Sequence, residues 1–140
     1  MATKAKAHAV CKALPGATYD VKWGKDECYS VGGKMFAVIG PGGIYGGPKA
    51  AKWSIGFKVE DERFLEITDI YGIIPAPYMA KHHWVLVQDP KALDDAQLKE
   101  LLVRSHALVA AKLPKKLNPL LPPSPSPPSP TSKSPRARKR

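Results

Sequence analysis

Residues 53–59 read Trp-Ser-Ile-Gly-Phe-Lys-Val, and the architecture follows from this stretch. Trp53, Ile55, Phe57 and Val59 occupy every second position, separated by Ser54, Gly56 and Lys58, which is the period of a strand with one face in a core and the other open. Each large side chain buried from such a row contributes roughly 2 kcal/mol, enough for the row to anchor a sheet. The intervening row is polar and partly basic.

Immediately upstream, the segment Gly40–Ala51 (GPGGIYGGPKAA) is too rich in glycine and proline for regular pairing and reads as a hairpin wing carrying Lys49 and Lys52. Gly42 and Gly47 have the separation of a phosphate loop, but Pro48 stands where its lysine belongs, so a nucleotide site is not expected. Before the wing, Lys34–Ile39 is apolar on both faces, with Phe36 and Val38 on one side and Met35, Ala37 and Ile39 on the other, as in a central strand. Cys28–Val31 and Thr18–Trp23 supply two more strands around a turn at Gly24–Asp26, with Tyr19, Val21 and Trp23 on a shared side. A helix over Thr3–Leu14 places Ala7, Val10, Cys11 and Leu14 on one stripe, and Pro15 and Gly16 end it.

Downstream, Asp61 is placed to cap a helix from Glu62 to Ile70 with Phe64, Leu65 and Ile67 inward, closed by Gly72. Residues 75–84 then read PAPYMAKHHW. Two prolines remove two backbone donors and direct this segment into an edge strand or stiff turn. Tyr78 and Trp84 enclose Lys81, His82 and His83. That mixture suits both phosphate contact with base stacking and a packed core with a solvated rim. Trp84, Leu86 and Gln88 alternate with His83, Val85 and Val87 in a further strand. Asp94 and Gln97 form a capping box ahead of a last helix whose stripe is Leu98, Leu101, Leu102, Ser105, Leu108 and Val109.

Composition changes at Pro114, dividing the chain into a domain over residues 1–113 and a tail over 114–140. The tail has nine prolines and a Ser-Pro rhythm, the signature of a disordered segment with polyproline II bias. The net charge of +10 is placed unevenly: seven basic and no acidic residues lie in the tail. Lys133, Arg136, Arg138, Lys139 and Arg140 crowd into its last eight residues, where they can track a phosphate backbone.

No apolar run approaches the roughly 20 residues of a membrane span, and the N-terminus lacks a secretory h-region, so a cytoplasmic protein is expected. Cys11 and Cys28 match no zinc or redox spacing and read as buried structural thiols. Adjacent His82 and His83 would face opposite sides of a strand, and His8 and His106 lie on helices elsewhere, so no metal is expected. No nucleophile elbow or Cys-His pattern is present, Glu60, Asp61 and Glu62 read as solvated surface, and neither an enzyme nor a cofactor is expected.

Four motifs in order, ALPGA near the start, VGGKMFAVIG, IPAPYMAKHHW and LVAAKLPKK, resemble the MmcQ/YjbR family of small bacterial proteins over about residues 8–116. The resemblance implies an α+β fold in two layers, an antiparallel sheet flanked by helices in the order α-β3-α-β2-α. The segment reading adds one short strand near Cys28. The family is described as DNA-binding-like from a double-wing arrangement, which makes the wing with Lys49 and Lys52 and the segment Pro75–Trp84 the candidate contacts. Many members have Asn where this chain has Ala80. The first functional expectation is thus a monomeric DNA-binding module of low sequence specificity using Lys49, Lys52, Lys81, His82, His83, Trp84 and the tail cations. The alternative is a protein-interaction adaptor or peptide-holding, chaperone-like module, with a protein partner engaged through the proline-rich tail.

Overall fold

A computed structural model describes residues 2–77 and 80–119. Tyr78 and the tail cations Lys133, Arg136, Arg138, Lys139 and Arg140 lie outside the described residues. The order of elements is α1 (Lys4–Ala13), β1 (Ala17–Lys22), β2 (Asp26–Val31), β3 (Lys34–Pro41), β4 (Trp53–Lys58), α2 (Asp61–Thr68), β5 (Ile73–Pro75), β6 (Trp84–Val87) and α3 (Asp95–Ala110). Among the described residues the six strands form one antiparallel sheet in the order β1-β2-β3-β4-β6-β5. The fold is α+β, and the segment near Cys28 is a full six-residue strand paired on both sides.

The row Trp53, Ile55, Phe57 and Val59 faces the helices. It is buried with Val10 and Cys11 of α1, Ile67 of α2 and Leu98, Leu101, Leu102 and Val109 of α3. Thr3 caps α1 by accepting from the Lys6 N–H at 3.2 Å. The capping box of α3 forms in both directions: Asp94 Oδ1 accepts from the Gln97 N–H at 2.7 Å, and Gln97 Oε1 accepts from the Asp94 N–H at 2.9 Å. Pro75 stands on edge strand β5, where its missing N–H costs no ladder bond.

Several local expectations are corrected. Tyr29 pairs with Ala37, but the next residue, Ser30, pairs with Met35, so Phe36 is the extra residue of a β-bulge. The bulge resets the alternation: Phe36, Ala37 and Ile39 join the helix-side core, while Met35 and Val38 face away. Helix α2 begins at Asp61, its N-cap is Glu60 without a side-chain capping bond, and Leu65 is 79% exposed. His82 ends a short 3-10 turn (Ala80–His82) and His83 has φ 61°, so neither lies on a strand. Ser54 is buried rather than open to solvent, its Oγ donating to the Pro41 carbonyl at 2.8 Å.

Candidate functional site

Among the described residues the helices cover one sheet face, and the other carries an apolar groove of about 860 Å³. Met35, Val38, Trp84 and Leu86 line it, with Gly40 and Gly56 in its floor and Ala76 and Pro77 along one side. Trp84 is therefore a buried member of the apolar cluster under this face, with Ala76 and Leu86.

The far end of the groove is walled by Trp23, from the turn between β1 and β2, and by Tyr45, from the 42–52 wing. These residues are 69% and 58% exposed, and both hold a left-handed backbone with φ 50°. Bulky residues rarely adopt that region, and each such conformation costs on the order of 1–3 kcal/mol. Tyr45 is set by Gln88, a buried side chain whose Nε2 donates to the Ile44 and Tyr45 carbonyls at 3.1 and 2.5 Å. At the neck of the wing a Cβ on Gly42 would lie 2.1 Å from the Ala51 carbonyl oxygen, so only glycine lets the two limbs approach. Asp26 lies over the Gly40 backbone at the same end, and its carboxylate has no hydrogen-bond or ion-pair partner among the described residues.

A second hollow, of about 510 Å³, lies at the opposite end of the sheet and gathers Lys58, Lys81, His82, His83 and Lys112 with Glu60, Asp61 and Glu62. Lys58 Nζ donates to the His82 carbonyl at 2.6 Å. Burial, then the neighbouring Lys112 charge, pulls the Lys58 pKa below its ordinary value. Two of the three carboxylates are engaged. Glu60 accepts from Arg104 at 2.5 and 2.8 Å, and Asp61 lies 2.6 Å from His83 Nδ1, whose ring stands edge-on to Phe64. Burial raises the Glu60 pKa, but the Arg104 hydrogen bonds and the Arg104 and Arg63 charges outweigh it and leave the value below the usual carboxylate range.

Of the residues singled out in the sequence, Lys81, His82 and His83 thus come together. Lys49 and Lys52 do not join them: the wing precedes Trp53, and Lys58 ends the same strand five residues on, about 17 Å away at roughly 3.3 Å per residue. Sequence reasoning missed Lys58 and Lys112 as partners of Lys81, because an antiparallel ladder and a helix end, not proximity in sequence, bring them there. It also missed a cluster at the sheet edge. His8 Nδ1 is 2.6 Å from the Tyr29 hydroxyl, while Glu27 accepts from Tyr19 at 2.8 Å and pairs with Lys4 at 3.3 Å. The groups in this cluster take one another as partners, and it ties α1 to the first two strands. Among the described residues no group of three or more His, Cys, Asp or Glu is placed to hold a metal ion. None of the described helices is long and apolar enough to cross a membrane.

These features define a small two-layer α+β domain that buries one sheet face under helices and leaves the other as a groove. The YjbR family model matches residues 12–108, and the chain belongs to that family. It is similar to a Deinococcus radiodurans protein with a DUF419 domain, solved by crystallography, at 25% identity and TM-score 0.69, covering 84% of this chain and 86% of the other. A Pseudomonas syringae protein shares the fold at 18% identity and TM-score 0.64, covering 76% and 98%. No curated protein matches the sequence.

Proposed function

We propose that the chain is a monomeric, cytoplasmic, non-enzymatic module that contacts DNA with little sequence specificity, through one cationic end of the domain and the basic tail. The observation that carries this reading is the convergence of Lys58, Lys81, His82 and Lys112 on one hollow, where Glu60 and Asp61 are already occupied by Arg104 and His83. A phosphate seated there would relieve the mutual repulsion of Lys58 and Lys112. Lys115 and Lys116 follow a few residues after Lys112, and the tail cations from Lys133 onward are joined to them by the proline-rich stretch 117–132. Lys49 and Lys52, at the other end of the sheet, take no part in this contact.

Titration of the full chain with duplex DNA across a salt series tests the proposal. Each phosphate neutralised contributes about 0.9 to the slope of log affinity against log salt. Replacing the five cations from Lys133 to Arg140 with Gln should therefore flatten the slope by about 4.5, and Lys81→Ala with Lys112→Ala by about 1.8 more. Absence of association in dilute buffer, or an affinity indifferent to salt, would refute it.

A second reading, a peptide-holding module, is favoured by the groove: its exposed aromatic walls on an apolar floor suit an extended apolar segment better than a phosphate chain.

A further inference from the structure

We infer that the groove on the open sheet face holds a polyproline segment of this same chain, residues Leu121–Pro130. The inference rests on the peptide-holding reading and names its occupant. Trp23 and Tyr45 are exposed, bulky and held at φ 50°, and of the three described non-glycine residues with positive φ, these two wall the groove. Backbone strain of this kind persists where the surroundings impose it and tends to collect at ligand clamps. Here it sets two aromatic rings at the mouth of an apolar channel, the arrangement that grips a proline-rich strand.

The segment has the matching chemistry. In a polyproline II helix, with three residues per turn, Pro122, Pro125 and Pro128 would fall along one edge. Lys133 and Arg136 follow the run of prolines, and among the described residues lining the groove one carboxylate, Asp26, has no partner. Nearby Lys22 is already paired with Asp20 at 3.4 Å.

Direction and reach agree as well. The described chain ends at Pro119, which packs against Gly16 at the end of the sheet remote from Trp23. With residues 120–122 allotted to turning around that end, the next eight residues would span about 25 Å at roughly 3.1 Å each if extended as polyproline II. The groove, from Met35 to Pro41 of β3, is about 20 Å long at roughly 3.3 Å per residue. A strand laid this way brings Lys133 to the end where Asp26 waits.

The test places a nitroxide on the full ¹⁵N-labelled chain at Ser132→Cys. Cys11 and Cys28 are buried, so the label goes to the new thiol. The proposal expects selective loss of the Trp23 indole and Tyr45 amide signals, unchanged on dilution, and recovery of the Tyr45 signal when Trp23→Ala is added. Uniform or absent broadening would overturn it, as would broadening seen only when labelled and ¹⁵N chains are mixed. A free peptide of sequence Leu121–Pro130 separates the two levels of the argument. If it shifts the groove signals while the tethered label leaves them intact, the chain's own segment is not the occupant and the groove reading stands. If neither perturbs them, both fail.

Discussion

Replacing Ser105 with alanine should destabilise the domain by about 2–4 kcal/mol. Ser105 has no exposed surface, and its hydroxyl makes two bonds that join three elements. It donates to the Phe36 carbonyl at 2.6 Å, satisfying the bulged residue of β3, and accepts from the Lys58 N–H at 3.0 Å, fixing the end of β4 against α3. Alanine removes the hydroxyl and leaves both backbone groups unpaired, at roughly 1–3 kcal/mol each, the lower part of that range applying to the partly buried Lys58 amide. That loss is a large part of the roughly 5–15 kcal/mol that holds a domain together. Urea unfolding followed by tryptophan fluorescence would report it as a lower midpoint with an unchanged m-value. The melting temperature should fall by about 8–32 °C, taking roughly 4–8 °C per kcal/mol for a domain of this size. A loss below about 0.5 kcal/mol would refute the reasoning, because it would mean that the bulge and the end of β4 are satisfied without this hydroxyl.

Three further outcomes follow from the same geometry. Glu60→Gln removes a carboxylate held by Arg104 and Arg63 and, because these ion pairs lie at the solvent-screened surface, should cost roughly 0.5–1 kcal/mol at neutral pH. Because folding lowers the Glu60 pKa, its contribution is present above the ordinary glutamate value of roughly 4.3 and is lost as pH falls through the folded value, so the two proteins' stabilities should converge in acid. Trp23→Gly should raise stability by about 1 kcal/mol in thermal unfolding, since glycine adopts φ 50° without strain, while weakening any peptide held in the groove. Cys11, buried and pushed up to about 12, should resist a thiol reagent at pH 8 until urea unfolds the chain, when both thiols react.

The elements themselves were legible because each carries its own local signal. Alternation at Trp53–Val59, the Asp94–Gln97 capping box and the prolines at 75 and 77 gave a strand, a helix start and a sheet edge, and each is where local chemistry put it. Which way side chains face within a strand that is apolar on both sides was not legible. Met35-Phe36-Ala37-Val38-Ile39 reads equally well in either register, and only Ser30, paired with Met35 while Tyr29 holds Ala37, makes Phe36 the extra residue. The same limit governs the candidate sites. The polar row Ser54, Gly56, Lys58 predicts an open face, yet Ser54 and Gly56 lie within an apolar groove because the wing folds back, held by Gln88. Lys49, Lys52 and Lys81 share a charge, but the sheet that separates them is set by the pairing of β4 with β6, which spans the intervening helix and edge strand. What local sequence does carry is the residue type at each position. An aromatic residue left-handed in an exposed turn is a costly choice where Gly or Asn would serve. Trp23 and Tyr45 make that choice twice, on turns far apart in sequence that meet at one groove, and that coincidence is the physical ground of the peptide-holding reading of this face.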